Sequence, residues 1–130
     1  MLSLVLRIGA LASLADSTAV VLALVAAHAG ARATMPMMML LLPRARADGL
    51  SAQAGRPPLA SAMIAALIGA GLLVAGFGVA GATVAMSAVV PVFAAAVWLY
   101  RRQIGGQTGD TLGALEQIAE IAILMCAAAR

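Results

Sequence analysis

Charge is scarce in this chain, and so are aromatic rings. Of its 130 residues only 10% are charged and 3% aromatic, with one tryptophan, one tyrosine and two phenylalanines. A soluble domain carries about 25% charged residues, so an ordinary water-facing surface is excluded. Lysine is missing altogether. All 8 basic residues are arginine, set against 5 acids, for a net charge of +3. That excess is small and scattered among apolar runs, which argues against nucleic acid as a partner. It suits loops lying on anionic headgroups, or a site for an anionic substrate. The single cysteine, Cys126, excludes an intramolecular disulfide and a cysteine-based metal cluster, and its small, apolar neighbours mark it as helix packing. Arg7 follows an apolar run instead of preceding one, the wrong order for a cleaved signal peptide.

What the chain has in excess is apolar surface: 64% hydrophobic residues and a mean hydropathy of +1.06. A core of this size cannot hide so much from water, so lipid must solvate the rest. Crossing a bilayer as a helix takes about 20 apolar residues, and four stretches approach that: 17–43, 59–81, 83–100 and 111–129. The first is interrupted by His28, Arg32 and Pro36, and the last carries Glu116 and Glu120. A shorter apolar segment, 2–15, reads as the end of a longer helix. The expected fold is all-α: a single integral-membrane helical bundle over 1–130, with about four to five transmembrane or re-entrant helices.

Gly81-Ala82-Thr83 reads as a tight connection that makes 59–81 and 83–100 an antiparallel hairpin. The glycines at 69, 71, 76, 78 and 81 suit close helix packing, because burial gives no hydrophobic drive between helices in lipid. Trp98 and Tyr100 precede Arg101 and Arg102, as aromatic anchors at a headgroup boundary do. Two crossings separate the arginine-bearing loops Arg44 to Pro58 and Arg101 to Asp110, so both face one side, and the positive-inside rule makes that side cytoplasmic.

The polar residues gather in few places. Asp110 stands where a glycine-rich loop meets a helix. Two readings are open for it: an N-cap, or one carboxylate on a divalent ion beside a phosphate. Gly105, Gly106 and Gly109 let backbone amides converge as a phosphate cradle at a helix N-terminus. No Gly-Lys-Ser/Thr follows, so this is not a Walker loop. Glu116 and Glu120 are four apart and share a helix face; in lipid they must meet a polar cavity, arginines or cations, unless the helix is interfacial. His28 and Arg32 also share a face. An arginine at the bilayer centre costs about 2.5–3.5 kcal/mol on the lenient scale; the cheaper course ends the helix near Arg32, with Met35-Pro36-Met37 opening a bent or re-entrant piece, and either way Arg32 should meet a carboxylate or a phosphate. Arg44 and Arg46 suit either a solvated basic loop or a pyrophosphate.

Two blocks together resemble a known family. Arg102-Gln-Ile-Gly105-Gly106-Gln-Thr108-Gly109-Asp110-Thr111-Leu-Gly113-Ala, followed by Glu120, is similar to the C-terminal signature of cobalamin synthase, or adenosylcobinamide-GDP ribazoletransferase. His28 to Arg32, then Ala45-Arg46-Ala-Asp48-Gly49-Leu50, resembles the family's midsection. The resemblance implies a multi-pass enzyme of the cell inner membrane that joins adenosylcobinamide-GDP to α-ribazole, giving adenosylcobalamin and GMP, with Mg2+ as cofactor. It implies catalytic roles for Asp110, Glu120 and Arg32. It implies substrate binding by His28, Arg46, Arg102, Gly105, Gly106, Thr108 and Gly109, and a metal at Asp110 and Glu116. Family members are about twice as long, and the acidic Asp-Gly repeat of their N-terminal half is absent here. This chain is therefore expected to work with that missing half or as a homo-oligomer, and not to catalyse the transfer by itself. A small dimeric transporter and a non-catalytic membrane partner subunit are the alternatives. Small exporters carry their essential glutamate in the first helix, whereas here the glutamates are in the last.

Overall fold

A computed structural model describes residues 1–14, 16–45 and 55–129. Its helices are α1 (Leu2–Ala12), α2 (Ser17–Leu41), α3 (Leu59–Gln103) and α4 (Gly109–Ala128). The last three are long and apolar enough to cross a membrane, and the protein is an all-α multi-pass membrane bundle. Its large apolar side chains point outward in number: Leu67, Val79, Val90 and Trp98 are exposed, as lipid-facing surfaces require.

The 45-residue α3 is two helices in one. Unbroken it would run about 68 Å, against a hydrocarbon core of about 30 Å. At Gly78 the backbone leaves helical geometry (φ 68°, ψ 173°), a region essentially reserved for glycine. The chain folds back there: Ala66 and Phe93, and likewise Leu73 and Met86, line one cavity with α2. The arms, 59–77 and 79–103, are about 28 and 38 Å long. The expected hairpin is present, but its reversal falls at Gly78 and not at Gly81–Thr83, which is helical. Positive φ decides the place, and Thr83 is content in a helix because its hydroxyl donates to the Ala80 carbonyl at 2.7 Å.

Small residues set the packing. A Cβ on Gly69 would stand 2.7 Å from the Ala33 Cβ, and one on Gly76 2.9 Å from that of Ala26. These contacts run antiparallel between α2 and the first arm. Gly30, between Ala26 and Ala33 on the same face of α2, leaves room for Leu73 of the first arm and Ile123 of α4. Ala23, Ala26, Ala27, Ala31, Ala85 and Ala119 continue this alanine-rich core, which lets backbones approach and gain dispersion contacts.

α2 is unbroken through Arg32 and Pro36, against the expected break. Pro36 removes the N–H that would reach the Arg32 carbonyl and crowds that carbonyl, yet the helix continues, and Arg32 itself has found an acid on α4. Tyr100 also departs from expectation. It is buried against Met38, Leu112 and Leu115, while Trp98 alone stays exposed, with the Arg102 guanidinium 5.1 Å from its ring centroid.

The described parts of both polar loops, 43–45 with 55–58 and 104–108, lie at one end of the bundle, opposite Gly78. Gln107 N donates to the Pro43 carbonyl at 2.8 Å, and Ala45 N donates to the Gln107 carbonyl at 3.0 Å. This short parallel bridge ties the α3–α4 connection to the end of α2.

Candidate functional site

Within the membrane span, α2 and α4 face each other antiparallel and set basic side chains against acidic ones. Arg32 Nε lies 2.8 Å from Glu116 Oε1. One turn along, His28 Nδ1 lies 3.1 Å from Glu120 Oε1. The two i, i+4 pairs noted in the sequence are thus the two sides of one ladder. Glu116 and Glu120 sit about 10 and 16 Å along α4 from its start, deep in a core of about 30 Å. Charges at that depth are tolerated when paired.

Glu120 takes a second partner, because Arg7 Nη2 on α1 lies 2.9 Å from Oε2. With both oxygens engaged, Glu120 is only 3% exposed. The Arg32 side chain, by contrast, remains 67% exposed and that of His28 49%, so one side of the ladder is open. Nothing local in the sequence marks Arg7 as a partner for a residue 113 positions away. The contact exists because α1 packs beside α4, where Gly9, Ala10 and Ser13 line one cavity with Met125 and Ala128.

At the loop end, Thr108 and Thr111 form a capping box: the Thr108 hydroxyl accepts from Thr111 N, and Thr111 Oγ1 accepts from Thr108 N at 2.8 Å. The cap of α4 is therefore Thr108, and the N-cap reading of Asp110 is overturned. Thr108 is the first residue with extended geometry before the helix; Asp110 falls in the first turn, exposed, with no hydrogen bond or ion pair among the described residues. A carboxylate there still benefits from the helix dipole.

Gly105 has φ 73°. A Cβ on Gly106 would overlap the Pro43 carbonyl oxygen, so only glycine lets this loop reach the 43–45 segment. Gly109 meets no such limit. Arg101 Nη2 donates to the Leu41 carbonyl at 3.1 Å, and Arg56 Nη2 to that of Leu40 at 2.7 Å. These arginines cap the end of α2, favourable contacts at a helix C-terminus. Arg102 lies over Trp98 on the outer face. Arg46, with Asp48 and Gly49, lies outside the described residues.

The structure thus forms two groups. One is the membrane-embedded ladder of Arg7, His28, Arg32, Glu116 and Glu120. The other is the loop face of Arg44, Arg56, Arg101, Gly105, Gly106 and Asp110. Among the described residues no cluster of three or more His, Cys, Asp or Glu side chains is placed to hold a metal. Glu116 is taken by Arg32, and it stands six positions from Asp110, about 9 Å of helix rise. Asp110 alone fits the mode in which magnesium uses one carboxylate and completes its shell with phosphate oxygens and water.

A protein from Mesorhizobium japonicum named adenosylcobinamide-GDP ribazoletransferase is 49% identical over 126 residues, covering 97% of this chain and 48% of its own length. Proteins of the same name from Bradyrhizobium diazoefficiens and Azorhizobium caulinodans are 49% and 41% identical, covering 98% and 95% of this chain and 49% of each relative. The chain spans about half the length of the curated relatives it matches. No solved structure matches it. The family described as cobalamin-5-phosphate synthase (CobS) matches residues 1–128, and the chain belongs to that family.

Proposed function

We propose that this chain provides the arginine- and glycine-lined face of an adenosylcobinamide-GDP ribazoletransferase site, on the cytoplasmic side of the cell inner membrane. The observation that carries the proposal is the seating of Gly106 against Pro43. It brings the signature loop 105–110 beside the end of α2 and gathers cationic side chains on one membrane face. A nucleotide-activated substrate is made in the cytoplasm, which favours that facing for the Arg44–Pro58 and Arg101–Asp110 loops, as does the positive-inside rule.

The transfer needs three things from the protein. The pyrophosphate between the corrinoid and guanosine must be held. A ribose hydroxyl of α-ribazole must be aligned on the corrinoid-side phosphorus, and the charge on departing GMP must be compensated. Arg44, Arg56 and Arg101 offer positive charge. The first-turn amides of Gly109 and Asp110, which the capping box leaves unused, offer donors at the positive end of α4. Mg2+, held by Asp110 and phosphate oxygens, would neutralise phosphate charge when bound. The Arg32–Glu116 and His28–Glu120 ladder fixes α2 against α4 beneath this face and so holds the loop in register.

Turnover is expected to need carboxylates beyond these 130 residues, supplied by the remaining half of a full-length relative or through a companion chain. The test is GMP release from adenosylcobinamide-GDP and α-ribazole in membrane vesicles, with the chain alone and with the other half of the Mesorhizobium relative co-expressed. Activity restored by co-expression supports the proposal. Full activity of the chain alone would refute the need for a second half, and no GMP release in any combination would refute the transferase reading.

A further inference from the structure

Beside the bridge between Pro43–Ala45 and Gln107 lies a cavity of about 390 Å³, lined by the end of α2, Arg44, Gly55, Arg56 and Gln107. Gln107 is 1% exposed, and its Oε1 has no hydrogen-bond partner among the described residues. Buried polar atoms are normally satisfied, and an orphaned one marks a missing ligand or water. Its place is not accidental, because the Gln107 main chain is pinned on both sides by the bonds to Pro43 and Ala45.

The charges around it among the described residues share one sign. Arg44 and Arg56 both line the cavity, and no carboxylate does among the described residues. Both arginines are exposed, at the mouth, whereas Gln107 is at the floor. A ligand matching this pattern carries an anion at one end and an N–H or O–H donor at the other. The volume is at the small end of ligand sites, about 300–1,000 Å³. It suits one nucleotide and is far too small for a corrin ring.

The geometry points to a phosphorylated nucleoside in this cavity, its phosphate on Arg44 and Arg56 and a hydroxyl or base N–H donating to Gln107 Oε1. This deepens the transferase reading and rests on it for the choice of GMP as probe. A phosphatidylglycerol headgroup has the same phosphate-and-hydroxyl chemistry, and the test separates the two sources.

The full chain in phosphatidylcholine nanodiscs is titrated with GMP and with inorganic phosphate. GMP is expected to bind more tightly than phosphate. Gln107→Leu should cost about tenfold in GMP affinity and leave phosphate unchanged, whereas Arg56→Gln should weaken both. Gln107→Glu, which keeps the side-chain shape but sets a carboxylate in the cavity, should also weaken GMP and guards against a misfolded leucine variant. Equal GMP binding by wild type and both Gln107 variants would overturn the inference. So would loss of GMP binding in nanodiscs containing phosphatidylglycerol, which would assign the cavity to lipid. Gln107-dependent GMP binding without GMP release in the transferase assay would uphold the cavity and sink the transfer reading. GMP release that survives Gln107→Leu at unchanged KM would sink the cavity alone.

Discussion

Arg32 Nε on α2 and Glu116 Oε1 on α4 are 2.8 Å apart, one helical turn from the contact of His28 with Glu120. The antiparallel register of the two helices places each member of one i, i+4 pair against its complement. Exchange of the charges is therefore expected to be tolerated where single reversals are not. Arg32→Glu and Glu116→Arg should each lower the yield of inserted, folded protein, and the double variant should recover most of it. A double-mutant cycle on nanodisc stability measures the coupling; additive losses would show that the pair contributes nothing.

Glu120 should matter more to stability than Glu116. It is buried and engages both Arg7 and His28, so Glu120→Leu strands a cation inside the bundle. Losing one partner of a buried pair costs about 3–5 kcal/mol. Arg32 keeps access to its surroundings, so Glu116→Leu should cost less. Thermal unfolding of both variants in the same nanodiscs gives the order, and the reverse order would contradict it.

Asp110→Asn is expected to lower GMP release, in a system that turns over, far more than it lowers membrane insertion. Thr108→Ala should do the opposite, costing about 1 kcal/mol of stability through loss of the cap. Equal loss of both properties in Asp110→Asn would mean that this residue serves the fold.

Glycine substitutions should divide by contact. Gly69→Ala meets Ala33, and Gly106→Ala meets the Pro43 carbonyl, whereas Gly71→Ala meets nothing. The first should cost about 1–3 kcal/mol by overpacking, and the last should be neutral or mildly stabilising. Gly106→Ala should separate the loop from the end of α2, seen as new proteolytic cleavage between α3 and α4.

Gly78→Ala tests the reversal. A Cβ there finds open space, so any loss comes from the backbone alone, about 1–3 kcal/mol for a conformation that L residues avoid. Gly71→Ala, in regular helix with open space for a Cβ, should not show it. Unfolding measurements on the two variants isolate the backbone cost at Gly78.

Composition and spacing alone determined the class, the presence of several long apolar helices and the return of the polar connections to one end of the bundle. These follow from local requirements: lipid demands apolar runs of fixed length, and two crossings return a chain to its starting side. The shared faces of His28 with Arg32 and of Glu116 with Glu120 were legible for the same reason, since helix periodicity is local. Which face met which was not. Arg7 reaches Glu120 only because α1 lies beside α4, and Arg32 stays in an unbroken helix only because Glu116 arrives opposite it. The cap passed from Asp110 to Thr108, and the turn from Gly81 to Gly78, where neighbouring candidates differ by about 1–3 kcal/mol. Differences that small are decided by tertiary packing, which sets where each helix must begin and end.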